Sequence, residues 1–442
     1  MNRFTRNAIA CTLAAAMLSG CGVFKKGTKS TPVLGDRIAV LNTEADIGID
    51  AGTTALPMAL AAPSVNANWE QSGGNAASSM GHLALGRELG LAWSRSIGEG
   101  NSSSERLAAS PIVVDGTVYT IDTGSVVRGF DAATGAPKWA TPFGIEEGGE
   151  AAVYGGGLAY GGGYVFATNG LGHVVALDPS NGGIAWQVKP SGPLRGAPGY
   201  ADGSLYAMTQ DNQIVALDAS NGTVRWTNAA ALEIAGVFGT ATPAIARGTV
   251  VAGFSSGELT AYRYENGRAV WQDTLTRTRI STSVSSLSDI DADPVIDSGQ
   301  VIAIGQGGRM VALDILSGQR MWELNIAGMS TPYVAGEWVF AVTEAAQVIA
   351  INRGTGRVRW INQLPRWEND KKKKGALFYE GPILAGGRLV LVGNNGALIE
   401  IDPDSGSFLT QRDMGIEVTL QPVVANETLY VLGNDGTLQA WR

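Results

Sequence analysis

One phrase recurs along this 442-residue chain and fixes what it can fold into. Residues 174–186 read VVALDPSNGGIAW, and the same grammar returns as VALDASNGTVRW (215–226), VALDILSGQRMW (311–322) and IAINRGTGRVRW (349–360). The closing tryptophans fall at Trp93, Trp139, Trp186, Trp226, Trp271, Trp322 and Trp360, with Thr410 in an eighth place. The steps between them are 46, 47, 40, 45, 51, 38 and 50 residues. A self-similar period of ~40–50 residues is that of a four-stranded propeller blade. Within one unit, Asp202-Gly203 turns one strand into the next, 205–208 and 214–217 are short strand-forming runs, and 218–222 turns into a fourth strand ending at Trp226. Gly at 60 positions, about twice the usual ~7 %, serves so turn-dense a chain.

The units begin at Pro111, about Ala152, Ala197, Pro243, Pro294, Pro332, Pro382 and Pro422. Starts and ends are offset. The last unit stops at Arg442 with three strands, while 89–95 (LGLAWSR) is a fourth strand with no unit of its own. Pairing the two leaves no strand over and removes two free sheet edges. The expected fold is therefore all-β: an eight-bladed β-propeller of four-stranded antiparallel blades, closed by an N-terminal strand joining the last blade. The seven tryptophans read as structural, each burying ~150–250 Å² between blades. Arg263, Asn352 and Thr410 depart from the repeat, so those turns and the boundary beside Thr410 are expected to be the least rigid.

The first residues form a targeting signal. Arg3 and Arg6 precede an apolar run, 8–18, too short to span a bilayer as a stop-transfer helix. Leu18-Ser19-Gly20-Cys21 resembles the lipobox of bacterial lipoproteins, which implies cleavage after residue 20 and acylation of Cys21. Gly22, rather than Asp, is what outer-membrane sorting looks like in such lipoproteins. Residues 21–68 then read as a lipidated, extended tether with one apolar island, Ile38–Leu41, and 69–442 as the propeller. Cys11 and Cys21 are the chain's two cysteines, which excludes a disulfide, an iron–sulfur cluster or a c-type haem motif in the folded part. Removing Arg3 and Arg6 with the leader takes the net charge from −8 to −10, and nucleic acid is excluded as a partner on that ground.

No catalytic residues, metal ligands or cofactor site are assigned. The two histidines, His82 and His173, are read as incidental, and the glycine-rich 154–170 (YGGGLAYGGGYVFATNG) lies between strands rather than before a helix, so it fails as a phosphate loop. Lys371–Lys374 read as a solvated loop, with contact to anionic lipid or an acidic partner left open.

The phrase A-x-D-x-x-(S/T/N)-G-x-x-x-W resembles the repeat of pyrroloquinoline quinone (PQQ) enzymes, also eight-bladed propellers. Their adjacent-cysteine disulfide is impossible here. A lipoprotein signal before a cysteine-free ring of such repeats is similar to the BamB family of outer-membrane assembly factors. The non-repeating stretch 278–296 (TRISTSVSSLSDIDADPVI), with the core Leu287-Ser288-Asp289-Ile290-Asp291, resembles one contact segment of that family. The segment 231–236 (ALEIAG) is matched to the other, whose pattern is two aliphatic residues and then Arg before Gly; Ala235 stands at the Arg place. The resemblance implies a non-catalytic, periplasmic scaffold of the outer-membrane β-barrel assembly (BAM) machinery. It would bind the periplasmic (POTRA) domains of BamA through Leu232, Ile234, Asp289 and Asp291, alongside other BAM subunits and nascent outer-membrane proteins. Pairing of nascent strands with exposed blade edges is a second mechanism the fold allows. A PQQ-dependent dehydrogenase-like or small-ligand-binding periplasmic propeller is the alternative.

Overall fold

The computed structural model describes residues 47–144, 154–231, 241–276 and 288–442. Among them stand eight four-stranded sheets and one two-stranded hairpin. The sheets follow the chain as blade 1 (112–142), blade 2 (156–188), blade 3 (199–229), blade 4 (244–274), blade 5 (295–324), blade 6 (333–363) and blade 7 (379–413). Blade 8 takes Val423–Ala425, Thr428–Leu432 and Thr437–Trp441 from the end of the chain and Leu91–Ser96 from before blade 1. Trp93 faces Ala440 and Arg95 faces Leu438, while Gly90 and Arg442 exchange backbone hydrogen bonds of 2.6 and 2.9 Å. The expected ring, with its N-terminal closing strand, is what the chain forms.

First strands of successive blades touch one another around the axis. Second strands such as Ser204–Met208, Thr249–Gly253 and Trp338–Val342 are buried at every position, because neighbouring blades cover both of their faces. Fourth strands such as Val224–Ala229 and Ala269–Thr274 form the rim and are largely exposed.

The tryptophans couple each blade to the next. Every repeat Trp donates its indole N–H to a carbonyl in the turn before the next blade's fourth strand. The pairs run from Trp93 to Ala132 (3.2 Å), Trp139 to Pro179 (2.9 Å), Trp186 to Ala219 (3.1 Å) and Trp226 to Tyr264 (2.9 Å). They continue from Trp271 to Ile315 (2.8 Å), Trp322 to Arg353 (2.6 Å) and Trp360 to Pro403 (2.9 Å). The turn's glycine lies against the same ring: at Gly318, Gly356 and Gly406 a Cβ would come within 2.5–2.7 Å of it, and φ is 69–71°. Glycine is required there twice over, by conformation and by contact. Five of the seven rings are buried; Trp139 and Trp186 are half-buried.

Directly opposite each Trp stands a small residue of the third strand, such as Ala216 facing Trp226, Ala312 facing Trp322 and Gly129 facing Trp139. Blade 7 breaks both halves of the rule together, with Glu400 facing Thr410. Glu400 Oε1 lies 2.9 Å from Arg388 Nε, both side chains buried. The substitution has a topological cause. Blade 8 draws its third and fourth strands from opposite ends of the chain, so the turn that a Trp at 410 would bond does not exist. Arg412 fills the junction instead, donating to the Leu89 carbonyl. The boundary beside Thr410, expected to be loose, is thus closed by other means.

The stretch from residue 47, expected to be tether as far as 68, is packed on the ring. Ile49 pairs in parallel with Val358 on the outer edge of blade 6, and Asp50 N–H donates to Val358 O at 2.9 Å. A single helical turn, Ala51–Thr54, follows; Asp50 caps it by accepting from Thr53 N–H at 2.7 Å. Thr54 Oγ1 donates to Arg359 O (2.8 Å), and Arg359 donates to the Thr53 and Leu56 carbonyls. The tether boundary is corrected accordingly: backbone groups of blade 6's outer edge find partners in 47–56.

Residues 66–86 then circle the axis. Asn66 bonds Val424 and Asn426 of blade 8, Trp69 exchanges bonds with Val113 of blade 1, and the Glu70 carbonyl accepts from Tyr160 of blade 2. Gln71 clasps the Tyr200 backbone of blade 3, Ala76 and Ala77 accept from Ile245 and Ile296, and Leu83 bonds Leu384 and Gly386 of blade 7. Inner strands expose unpaired backbone groups toward the axis, and this one irregular segment satisfies them in seven blades. His82, read as incidental, locks the segment: its Nδ1 lies 2.6 Å from Ala61 O and its Nε2 accepts from Gly387 N–H at 2.9 Å. The plugged mouth is the one carrying the turns between first and second strands.

Candidate partner-binding face

The other mouth carries the connections between blades and holds a cavity of about 210 Å³. Trp69, Ser72 and Gly73 of the plug line it from below, and exposed Met329 and Thr419 stand at its rim. Three carboxylates face it: Asp291, Asp293 and Glu380. Asp293 Oδ2 accepts from Ser72 Oγ at 2.5 Å, its Oδ1 accepts from Thr242 N–H at 2.7 Å, and its own N–H donates to Thr331 Oγ1 at 3.0 Å. One residue, through its carboxylate and its backbone N–H, so ties the plug to blade entries on both sides. Burial pushes the Asp293 carboxyl up to about 6 against these hydrogen bonds, and burial pushes Glu380 up to about 7. Among the described residues, no group of three or more His, Cys, Asp or Glu is placed to hold a metal ion.

Asp289 and Asp291, expected to offer charge to a partner, turn inward. Arg195 Nη2 lies 3.8 Å from Asp289 and 3.4 Å from Asp291, and all three side chains are less than a tenth exposed. Gln306 also donates to Asp291. Burial first, and then the neighbouring Asp289 charge, push the Asp291 carboxyl up to about 6, with Arg195 opposing. A charge surrounded this closely steers nothing from solution. It pins the approach to blade 5 onto the approach to blade 3.

Arg195 offers a second match to that Arg-before-Gly pattern. Leu194-Arg195-Gly196 carries the Arg-before-Gly that the resemblance calls for, and this is the arginine that meets the paired aspartates. The signal was in the sequence, one connection earlier than 231–236. No local feature marked it, because Arg195 and Asp291 are 96 residues apart.

Two connections are rooted on one turn of blade 4. On one side, Ala231 N–H donates to Glu258 Oε2 (2.9 Å) and Ala231 O accepts from Asn212 Nδ2 (2.7 Å). On the other, Leu275 N–H donates to Gly257 O (2.9 Å), Ser288 Oγ to Ser255 O (2.9 Å) and Ile290 N–H to Phe254 O (3.2 Å). Turn 254–258 therefore holds Ala231, Leu275, Ser288 and Ile290 together. Leu232 and Ile234 lie outside the described residues, as do Cys21 and the island 38–41. Lys371–Lys374 belong to a hairpin, Trp367–Asn369 with Lys374–Ala376, rather than to a plain loop.

A family model described as outer membrane protein assembly factor BamB matches residues 123–362. The protein of that name from Salmonella typhimurium is 34 % identical over 352 residues, covering 79 % of this chain and 87 % of its own. Its counterpart from Escherichia coli K12 is 34 % identical over 353 residues, covering 78 % and 87 %. Among solved structures, BamB from Moraxella catarrhalis superposes with a TM-score of 0.67 at 19 % identity, covering 80 % of this chain and all of that one. A quinohemoprotein alcohol dehydrogenase from Comamonas testosteroni reaches 0.65 at 15 % identity, covering 86 % and 81 %. The two structural likenesses speak to the fold, which both kinds of protein share.

Proposed function

This chain belongs to the outer membrane protein assembly factor BamB family, and on that premise we propose that it is a non-catalytic scaffold in the assembly of outer-membrane β-barrel proteins. It acts at the outer membrane, held by acyl chains on Cys21 with the propeller in the periplasm. Its partner in the BAM machinery is the periplasmic POTRA region of BamA. Leu232 and Ile234 supply apolar contact from one connection, and 277–287 supplies the other. Asp289 and Asp291 act with Arg195 by holding the second connection's base. Nascent outer-membrane proteins and other BAM subunits are further contacts.

One observation carries this reading: Arg195 holds Asp289 and Asp291, and Ile290 between them donates its N–H to Phe254 O in the blade 4 turn that also holds Ala231. A rigid root lowers the ordering cost that a connection incurs on meeting its partner. The test is co-purification of BamA from solubilised outer membranes with Arg195→Ala and with Asp289→Ala/Asp291→Ala. Arg320→Ala, which breaks a rim ion pair to Asp273 in blades 4 and 5, is the control. Capture is expected to fall for the first two and persist for the control, with all chains folded by circular dichroism. Equal capture by all of them contradicts the reading.

A further inference from the structure

Among the described residues, the connection from blade 6 to blade 7 is the one that forms a two-stranded sheet of its own. It rises as the two-stranded hairpin Trp367–Asn369 and Lys374–Ala376, pairing Trp367 with Ala376 and Asn369 with Lys374. Its base is fixed. Leu364 and Leu377 are buried, Leu377 N–H donates to Arg366 O (3.0 Å), and Tyr379 Oη donates to Pro365 O (2.9 Å). Asn394 of blade 7 binds Phe378 N–H and Ala376 O. Its tip, 368–375, is exposed and basic: Lys371–Lys374 stand against Glu368 and Asp370, on a chain of net charge −8. Lys373 Nζ meets Asp370 at 3.0 Å across the turn, and among the described residues Lys371, Lys372 and Lys374 make no salt bridge. Beside the base, Phe378 (52 % exposed) and Met329 (38 %) flank one cleft.

We propose that this hairpin is a second membrane contact, its lysines binding the phosphates of an anionic lipid surface while Phe378 meets the interface. Four adjacent ammonium groups on flexible stems suit a diffuse array of phosphates; they lack the planar fork that selects a single carboxylate partner. The location agrees. The described chain begins alongside Val358 in blade 6, and the hairpin leaves that same strand's far end. Residues 22–46 extend to at most about 90 Å, so an anchor at Cys21 leaves the hairpin free to reach the bilayer that holds it.

The proposal rests on the reading that the chain is membrane-held, so the test removes the acyl group. The mature chain, residues 21–442 carrying Cys21→Ser, is sedimented with vesicles of phosphatidylcholine alone or mixed equally with phosphatidylglycerol. Binding is expected only to the mixed vesicles, and 0.5 M salt should weaken it. Replacing Lys371–Lys374 by Ser should lower it at least tenfold, and replacing them by Arg should restore it. Should the fourfold Ser variant melt early, Lys371→Ser/Lys372→Ser alone is expected to give an intermediate loss. Equal sedimentation with both vesicle types, or no effect of the lysines, overturns the proposal. So does a Ser variant that keeps vesicle binding but loses BamA, which would make the hairpin a protein contact.

Discussion

Trp360 reaches from blade 6 into blade 7, donating its indole N–H to Pro403 O at 2.9 Å while its ring lies flat against Gly406. A Cβ at 406 would fall 2.6 Å from that ring, at a φ of 71°. Gly406→Ala is therefore expected to combine a left-handed backbone cost of about 1 kcal/mol with a packing loss of about 1–3 kcal/mol. Gly387→Ala, at φ 77° with nothing within 4 Å, should show the first cost alone. Urea unfolding of the two variants measures the difference.

Inside the seventh blade an ion pair stands where the other blades have a small residue facing Trp. Glu400→Ala leaves Arg388 buried without its carboxylate and is expected to cost about 3–5 kcal/mol. Adding Thr410→Trp restores the small-residue and Trp pair of the other blades but should recover little, because blade 8 offers no turn carbonyl to bond. Recovery to the parent's urea midpoint would contradict this explanation of Thr410.

Asp293 gives the fold a pH dependence of definite sign. Its folded pKa, about 6, lies above the ordinary 3.8, so the folded state holds its proton longer than the unfolded state. Stability from this group is fully present below pH 4 and is lost as pH rises through 6, by about 3 kcal/mol. Asp291, also near 6, and Glu380, near 7, add slopes of the same sign. Turn carboxylates such as Asp218, lowered to about 2 by Ser220 and then Arg225, titrate below this window. Asp293→Asn should flatten the fall in urea midpoint between pH 4.5 and 7.

The strap 47–56 is held chiefly by Arg359, which also pairs with Asp404 at 2.6 Å. Arg359→Ala should free the amides of Asp50 and Thr53 to exchange hydrogen, with the ring's melting changed by only about 1–2 kcal/mol. Hydrogen exchange read peptide by peptide separates the strap from the propeller.

The ring was legible because its markers are local. Each Trp and each turn glycine announces a blade within a dozen residues, and the lone strand at 89–95 with the truncated unit at 442 announces the closure. The plug was not, because 66–86 repeats nothing and bonds through scattered backbone groups and Gln71, whose partners lie in seven different blades. Asp289 and Asp291 were found as residues but placed on the wrong side of the surface. Nothing near them in sequence names Arg195, and an aspartate pair beside serines reads the same whether it faces water or a guanidinium.

Photo-crosslinking in intact outer membranes addresses the scaffold role most directly. A crosslinking residue is placed at Ile234, at Val284, or at Leu316, which is 67 % exposed on the turn before blade 5's fourth strand. BamA captured from 234 and 284 but not from 316 is the expected result. Capture of BamA from 316 alone, or from none of the three, would contradict a scaffold that works through the two connections rooted on blade 4.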